Sequence, residues 1–188
     1  AYEDLLTEAT LVTPNRDEAA VLTGVEPTDL ESAREAGDAL LDLGADAALI
    51  TGGHGDGDTL VDVLVTSDAV DGTARTREFA HPRVETDATH GSGCVLSSAI
   101  TARLATGESL ESAVEDSIRF MQRAIRYPLD VGQGPGAVHP LVGLRDRAQR
   151  GSVAETVATL VEELIDRGDD AGQLVPEVGM NVVGATPY

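Results

Sequence analysis

The 188-residue chain contains no lysine and no tryptophan, a single cysteine, and aromatic residues at only 3%. Each shortage excludes something. All 13 basic residues are arginine, set against 33 acidic ones, for a formal net charge of −20. A basic face for nucleic acid or an anionic membrane is therefore not expected. One cysteine rules out an internal disulfide and a multi-cysteine metal site. No apolar run reaches membrane-spanning length and no signal-peptide pattern opens the sequence, so a cytoplasmic location is expected. The missing lysine also excludes a Walker A loop at the glycine-rich turns.

What is present is an Ala/Val/Leu-rich hydrophobic fraction of 41%, enough for one core. The acidic residues are spread along the chain rather than gathered in a tail, so they do not mark a disordered segment. Such a composition resembles that of salt-adapted proteins, and low stability in dilute buffer is expected.

Taken in order, residues 2–9 read as the end of a helix and Thr10–Thr13 as a short strand. Asn15 then caps a helix that ends at Gly24. Thr28 or Asp29 caps the next helix, with Leu30, Ala33, Ala36, Leu40 and Leu41 on one face and Gly44 as its stop. Ala47–Ile50 is apolar throughout and reads as a buried strand. It ends in Thr51-Gly52-Gly53-His54, at the carboxyl edge where open α/β sheets place ligands. Residues 59–66 and 76–80 read as two strands joined by an Asp71-Gly72 turn.

A strand-like stretch then leads into Thr89-His90-Gly91-Ser92-Gly93-Cys94 and a helix over 92–105. Gly91 and Gly93 permit a turn that aims backbone N–H groups at one point, ahead of a helix dipole. Such a turn is an anion site. Cys94 beside it is a candidate proton acceptor, the pairing that phosphoryl transfer to a hydroxyl needs. The competing reading is a plain tight turn with Cys94 as a small buried hydrophobe. Ser109 caps a helix that runs towards Tyr127 and closes at Pro128. Alternating strands and helices make this an α/β domain. Residues 131–151 read as a Gly/Pro-rich loop and linker. Ser152 caps a new amphipathic helix bearing Val157, Leu160, Val161, Leu164 and Ile165.

The spaced motifs together resemble one family. Val12-Thr13-Pro14-Asn15-x-x-Glu18-Ala19, Gly52-Gly53-His54, Thr89-His90-Gly91-Ser92-Gly93-Cys94 and Gly132-Gln133-Gly134-Pro135-Gly136 resemble, in order, segments of the ribokinase-like hydroxymethylpyrimidine/phosphomethylpyrimidine kinases. The resemblance covers residues 1–143. It implies a three-layer α/β/α fold and transfer of the ATP γ-phosphate to a hydroxymethylpyrimidine and then to its monophosphate, in thiamine biosynthesis. It places Cys94 as the base, with Gly91, Ser92 and Gly93 as the anion hole. Gly52, Gly53 and Thr89 would contact nucleotide, and Asn15 and Glu18 would order Mg²⁺ and its waters.

Asn15 and Glu18 equally fit a capping box, and Gly52-Gly53 equally fits a strand-ending turn. His54 and His90 stay open between ligand and core, with metal binding not expected; His81 and His139 carry no signal. Asp62 matches a family aspartate position. The family's amino-terminal part, with its first glycine-rich substrate loop, has no counterpart here. Exposed sheet edges would then favour self-association. Residues 152–188 resemble the start of the thiamine-phosphate synthase domain fused behind such kinases in archaea, with 144–151 as linker. Two alternatives remain beside the pyrimidine kinase: a kinase of the same fold acting on pyridoxal or hydroxyethylthiazole, and a non-catalytic fragment or regulatory module.

Overall fold

The computed structural model describes residues 3–52, 57–67, 74–129, 133–134 and 136–167. Helix α1 (Glu3–Leu6) is followed by α2 (Arg16–Thr23), α3 (Leu30–Asp42) and strand β1 (Ala47–Ile50). Strands β2 (Thr59–Ser67) and β3 (Ala74–Pro82) come next, then α4 (Ser92–Ala105), α5 (Leu110–Arg126) and α6 (Val142–Asp166). The sheet order is β1-β2-β3 with both pairings antiparallel. On the far side of β1 the extended segment 12–15 bridges in parallel, Val12 to Ala48 and Asn15 to Thr51, so the sheet is mixed.

The apolar run of β1 is buried on both faces because helices cover both. Side chains alternate across a strand. Ala48 and Ile50 of β1 and Val63 and Val65 of β2 pack against Ala19 of α2 and Ala33, Ala36 and Leu40 of α3. Ala47 and Leu49 with Leu64 and Phe79 face the other way, onto Leu96 and Ile100 of α4 and Val114, Ile118 and Met121 of α5. The arrangement is helix, sheet, helix, as a ribokinase-like domain requires. Leu40, Leu49, Ile50, Leu64 and Ile100 are among the largest fully buried side chains, each worth about 1.5–3 kcal/mol of burial. Helix α3 lies so close to the sheet that a Cβ on Gly37 would come within 2.4 Å of the Val65 side chain.

Local signals set most boundaries. Asp29 and Ser32 form a reciprocal capping box for α3, and the Ser109 hydroxyl accepts from the Ser112 N–H to open α5. Gly24 ends α2 in the left-handed conformation at φ 76°. Leu30 is 39% exposed rather than part of the buried α3 face, because it is the first residue of the helix, ahead of the sheet contact.

Two expectations change. The segment before the glycine turn is not a strand: β3 ends at Pro82 and residues 83–89 are irregular. Local bonds compete there, with the Ala88 N–H donating to Thr86 Oγ1 and the Thr89 N–H to the Asp87 carbonyl. Nor is 144–151 an irregular linker, since α6 runs unbroken from 142 to 166. Leu144, Arg145, Arg147, Ala148, Gln149 and Arg150 are strong helix formers, and Gly151 costs only about 1 kcal/mol against them. Ser152 caps nothing: its hydroxyl donates to the Gln149 carbonyl inside the helix. The Asp71-Gly72 turn and the segment from 168 to 188 lie outside the described residues.

Candidate active site

The expected site residues fall into two groups, and the two share no hydrogen bond among the described residues. The first lies where β1 and the 12–15 segment end. Asn15 is extended at ψ 176° and begins α2 with a full capping box. Its Oδ1 accepts from the Glu18 N–H at 2.9 Å, while Glu18 Oε2 accepts from the Asn15 N–H at 2.9 Å. The pair expected to serve Mg²⁺ is thus a helix cap first, and Glu18 keeps its second carboxylate oxygen. Gly52 follows directly on the Asn15–Thr51 bridge. With Arg16, Asp29 and Thr59 it lines a cleft of about 170 Å³. The Ser32 backbone N–H, helped by the Ser32 hydroxyl, holds the Asp29 carboxyl below its ordinary pKa. Gly53 and His54 lie outside the described residues.

The second group is the turn into α4. Gly91 is the N-cap at φ 81°, a left-handed conformation that glycine adopts freely, and no side chain caps the helix. The Ser92 N–H is spent on the Thr89 carbonyl at 3.1 Å, so Ser92 cannot offer that group to an anion. The N–H groups of Gly93 and Cys94 have no acceptor among the described residues. Cys94 is exposed. It is therefore not the small buried hydrophobe of the competing reading, and its thiol stands in the first turn beside the open N–H groups. Below it the Cys94 carbonyl accepts from the hydroxyls of Ser97 and Ser98 at 3.1 and 2.7 Å.

Residues 136–138 come to this turn. Ala137 bridges to His90, and the Val138 N–H donates to the His90 carbonyl at 3.4 Å. Gly136, at φ 86°, packs against the buried Ala88. Gly132 and Pro135 lie outside the described residues.

His81, which carries no signal in the sequence, is part of a network in the structure. Asp62 is 5% exposed. Its Oδ1 accepts from the Gly52 N–H at 2.7 Å and its Oδ2 meets His81 Nε2 at 3.0 Å. Gln122 Nε2 lies 2.7 Å from His81 Nδ1. Burial works against a charge on His81, but the hydrogen bond and charge of Asp62 outweigh it and its pKa is raised. A signal was available: an aspartate inside Leu60-Val61-Asp62-Val63-Leu64, on the inward face of a strand, needs a buried partner.

The family model for phosphomethylpyrimidine kinase matches residues 1–139. The chain belongs to that family. It is 39% identical over 137 residues to the hydroxymethylpyrimidine/phosphomethylpyrimidine kinase of Haemophilus influenzae, covering 71% of this chain and 49% of that protein. It is 40% identical over 148 residues to the thiamine biosynthesis bifunctional protein ThiED of Geobacter sulfurreducens, covering 79% of this chain and 29% of the other. Among solved structures, a pyridoxal kinase of Bacillus subtilis in complex with ADP superposes with a TM-score of 0.66 at 33% identity, over 76% of this chain and 54% of that one. The pyridoxal kinase of Staphylococcus aureus with AMP-PCP gives 0.64 at 32% identity, over 71% and 48%. The chain spans half or less of the length of these curated relatives.

Proposed function

We propose that this family member acts in phosphorylation of hydroxymethylpyrimidine and its monophosphate in thiamine biosynthesis, with ATP as donor. The observation that carries this is the exposed Cys94 in the first turn of α4, where the N–H groups of Gly93 and Cys94 have no acceptor among the described residues. In the proposed step Cys94, as the thiolate, takes the proton of the pyrimidine hydroxymethyl group onto Sγ. The freed oxygen forms its bond to the γ-phosphorus as the bond to the ADP leaving oxygen breaks. The open N–H groups and the α4 dipole offset the charge on the transferring phosphoryl. Gly91 sets the turn, Thr89 and Gly52-Gly53 lie along the nucleotide, and the Ser92 hydroxyl rather than its N–H faces the anion. Mg²⁺, when bound, would screen the phosphate charge, and Glu18 Oε1 with Asn15 is a donor set suited to a largely hydrated hard cation.

Pyridoxal is the second acceptor to weigh, because the structural relatives are pyridoxal kinases. The test offers hydroxymethylpyrimidine, its monophosphate, pyridoxal and hydroxyethylthiazole with Mg²⁺-ATP in high KCl, with Cys94→Ala in parallel. Transfer to the two pyrimidines and a fall of about 10²-fold or more in the variant, the scale of one general base, supports the reading. Preferred transfer to pyridoxal replaces it. Nucleotide binding without transfer to any acceptor marks the chain as the donor-side part of a larger enzyme.

The amino-acid pattern supports two further elements of this reading. Residues 152–188 belong to a synthase-like second domain that opens within α6, and the acidic, lysine-free surface suits a salt-rich cytoplasm.

A further inference from the structure

The carboxylate of Asp62 is out of place by the logic of its strand. Leu60, Asp62 and Leu64 alternate onto one face of β2, and Leu64 packs into the core formed with α4 and α5. A leucine or valine at 62 would extend that core; a buried carboxylate there costs desolvation unless both oxygens are engaged. Both are. Oδ2 meets His81, which stands diagonally across the β2–β3 pairing, since Asp62 lies opposite Phe79 and His81 opposite Leu60. Oδ1 leaves the core altogether and takes the N–H of Gly52, just beyond the last residue of β1.

Gly52 is held there in a second way. A Cβ on it would stand 2.3 Å from the Val61 carbonyl oxygen, so its backbone lies directly on β2 and admits no side chain. One peptide, at the carboxyl end of a central strand and lining the cleft with Arg16, is therefore fixed by contact with Val61 and by a charge-assisted bond to the residue after it. The support runs on through His81 to Gln122 of α5, from the layer that carries the α4 turn.

We propose that Asp62, braced by His81 and Gln122, is a positioning residue that takes up the Gly52 N–H and so fixes the strand end at Gly52 where it lines the nucleotide cleft. The proposal rests on the reading of Gly52-Gly53 as a nucleotide contact. Asp62 touches no reacting atom; it acts through Gly52. The brace accepts either charge state of the imidazole, because rotating the Gln122 amide turns the Nδ1 contact from acceptor to donor. Around His81, β3 carries Arg77 and Glu78, and α5 carries Glu115, Arg119 and Arg126. Arg77 is paired with Glu111 and Glu115, Arg119 with Glu115 and Asp116, and Glu78 with Arg34. Asp62 is the charged group in direct contact with the ring.

The experiment measures ADP and ATP affinity by calorimetry at pH 6 and pH 8 for the wild type, Asp62→Ala and Asp62→Asn, with urea unfolding of each as the stability reference. Asp62→Ala should bind nucleotide about tenfold more weakly, the scale of one misplaced hydrogen bond. Asp62→Asn keeps an oxygen for the Gly52 N–H and should stay within about threefold of wild type at pH 8. Removing the carboxylate also removes what raises the imidazole pKa against its burial, so the ring moves towards its neutral form, which can accept from the new amide, and this variant should hold its affinity at pH 6 as well. A merely structural Asp62 would lower the unfolding midpoint of the variants and leave their nucleotide affinity unchanged. Folded Asp62→Ala with wild-type affinity overturns the proposal, and so does a tenfold loss in Asp62→Asn, which keeps the acceptor oxygen, should Asp62→Ala fail to fold. A wild type that binds no nucleotide overturns the reading of the Gly52 turn, and the proposal with it.

Discussion

Gly136 rests against Ala88 so closely that a Cβ built on it would lie 3.0 Å from the Ala88 Cβ and 3.4 Å from the Leu129 carbonyl oxygen. That contact is how a segment after α5 reaches the turn that carries Cys94. The stretch 136–138 is clamped between Leu129, whose N–H donates to the Ala137 carbonyl, and His90, whose carbonyl accepts from Val138. The α4 turn is thereby supported from outside its own helix.

Gly136→Ala should be costly on two counts. Its φ of 86° lies in the left-handed region, worth about 1–2 kcal/mol against a side chain, and the methyl must displace Ala88. Urea unfolding should show an unfolding free energy lower by that amount or more. Gly134→Ala, with nothing within 4 Å of its would-be Cβ, is the control and should move little.

Gly93→Ala should separate stability from function. Gly93 sits in the first turn of α4, has open space where a Cβ would go, and has no left-handed φ. In the free chain alanine should therefore stabilise the helix by about 0.4–1 kcal/mol. A phosphate drawn up to the Gly93 N–H would meet the new methyl, so nucleotide affinity should fall while the melting temperature rises. Unchanged affinity would remove Gly93 from the anion hole.

The helix frame was legible because local chemistry decides it: Asn15 with Glu18, Asp29 with Ser32, Ser109, Gly24 and Gly44 all carry their signals within four residues. The burial of β1 was legible from Ala47-Ala48-Leu49-Ile50. What could not be read were the joins between distant segments. Nothing local marks His81 as the partner of Asp62, because their meeting depends on the β2–β3 register. The same holds for Gly136 and Ala88. The expected linker at 144–151 lies inside α6 for the opposite reason: Gly151 looks like punctuation, yet the residues before it favour a helix strongly enough to override it. At the site, the glycine turn that opens α4 was legible, but the internal bond that withdraws the Ser92 N–H appears only in three dimensions.

Asn15 and Glu18 can be separated by their two roles. Asn15→Ala removes the cap and should cost about 1 kcal/mol of stability, whatever else the residue does. Glu18→Gln keeps an oxygen for the Asn15 N–H and should cost much less. If Glu18 also supports Mg²⁺, this variant should need several-fold more Mg²⁺ for half-maximal nucleotide binding. An unchanged Mg²⁺ requirement would leave the pair as a cap alone.

His81 carries a signed pH dependence. Its pKa in the folded chain is raised above the ordinary 6.5, since the contact with Asp62 outweighs burial. The stabilisation from the charged pair is therefore complete below about pH 6.5 and is lost as pH rises through the folded value. Compared with His81→Gln, the wild type should hold its largest stability advantage near pH 6 and lose most of it by pH 9. An advantage that grows with pH would place the imidazole neutral throughout.

Salt dependence follows from the composition, and its sign is decided by which charges outnumber which. Arginines already pair along the surface, as Arg103 does with Glu108 at 3.2 Å and Arg119 with Asp116 at 2.9 Å. Each such exposed pair contributes about 0–1 kcal/mol and weakens as salt screens it. The net charge of −20 means that the excess carboxylates have no basic partner to lose. Their mutual repulsion reaches about 10 Å at 0.1 M salt and only about 3 Å at 1 M. Screening therefore removes more repulsion than attraction, and the melting temperature should climb steadily from 0.1 M to multimolar KCl. A flat or falling curve would mean that the paired arginines, not the excess acid, dominate the surface.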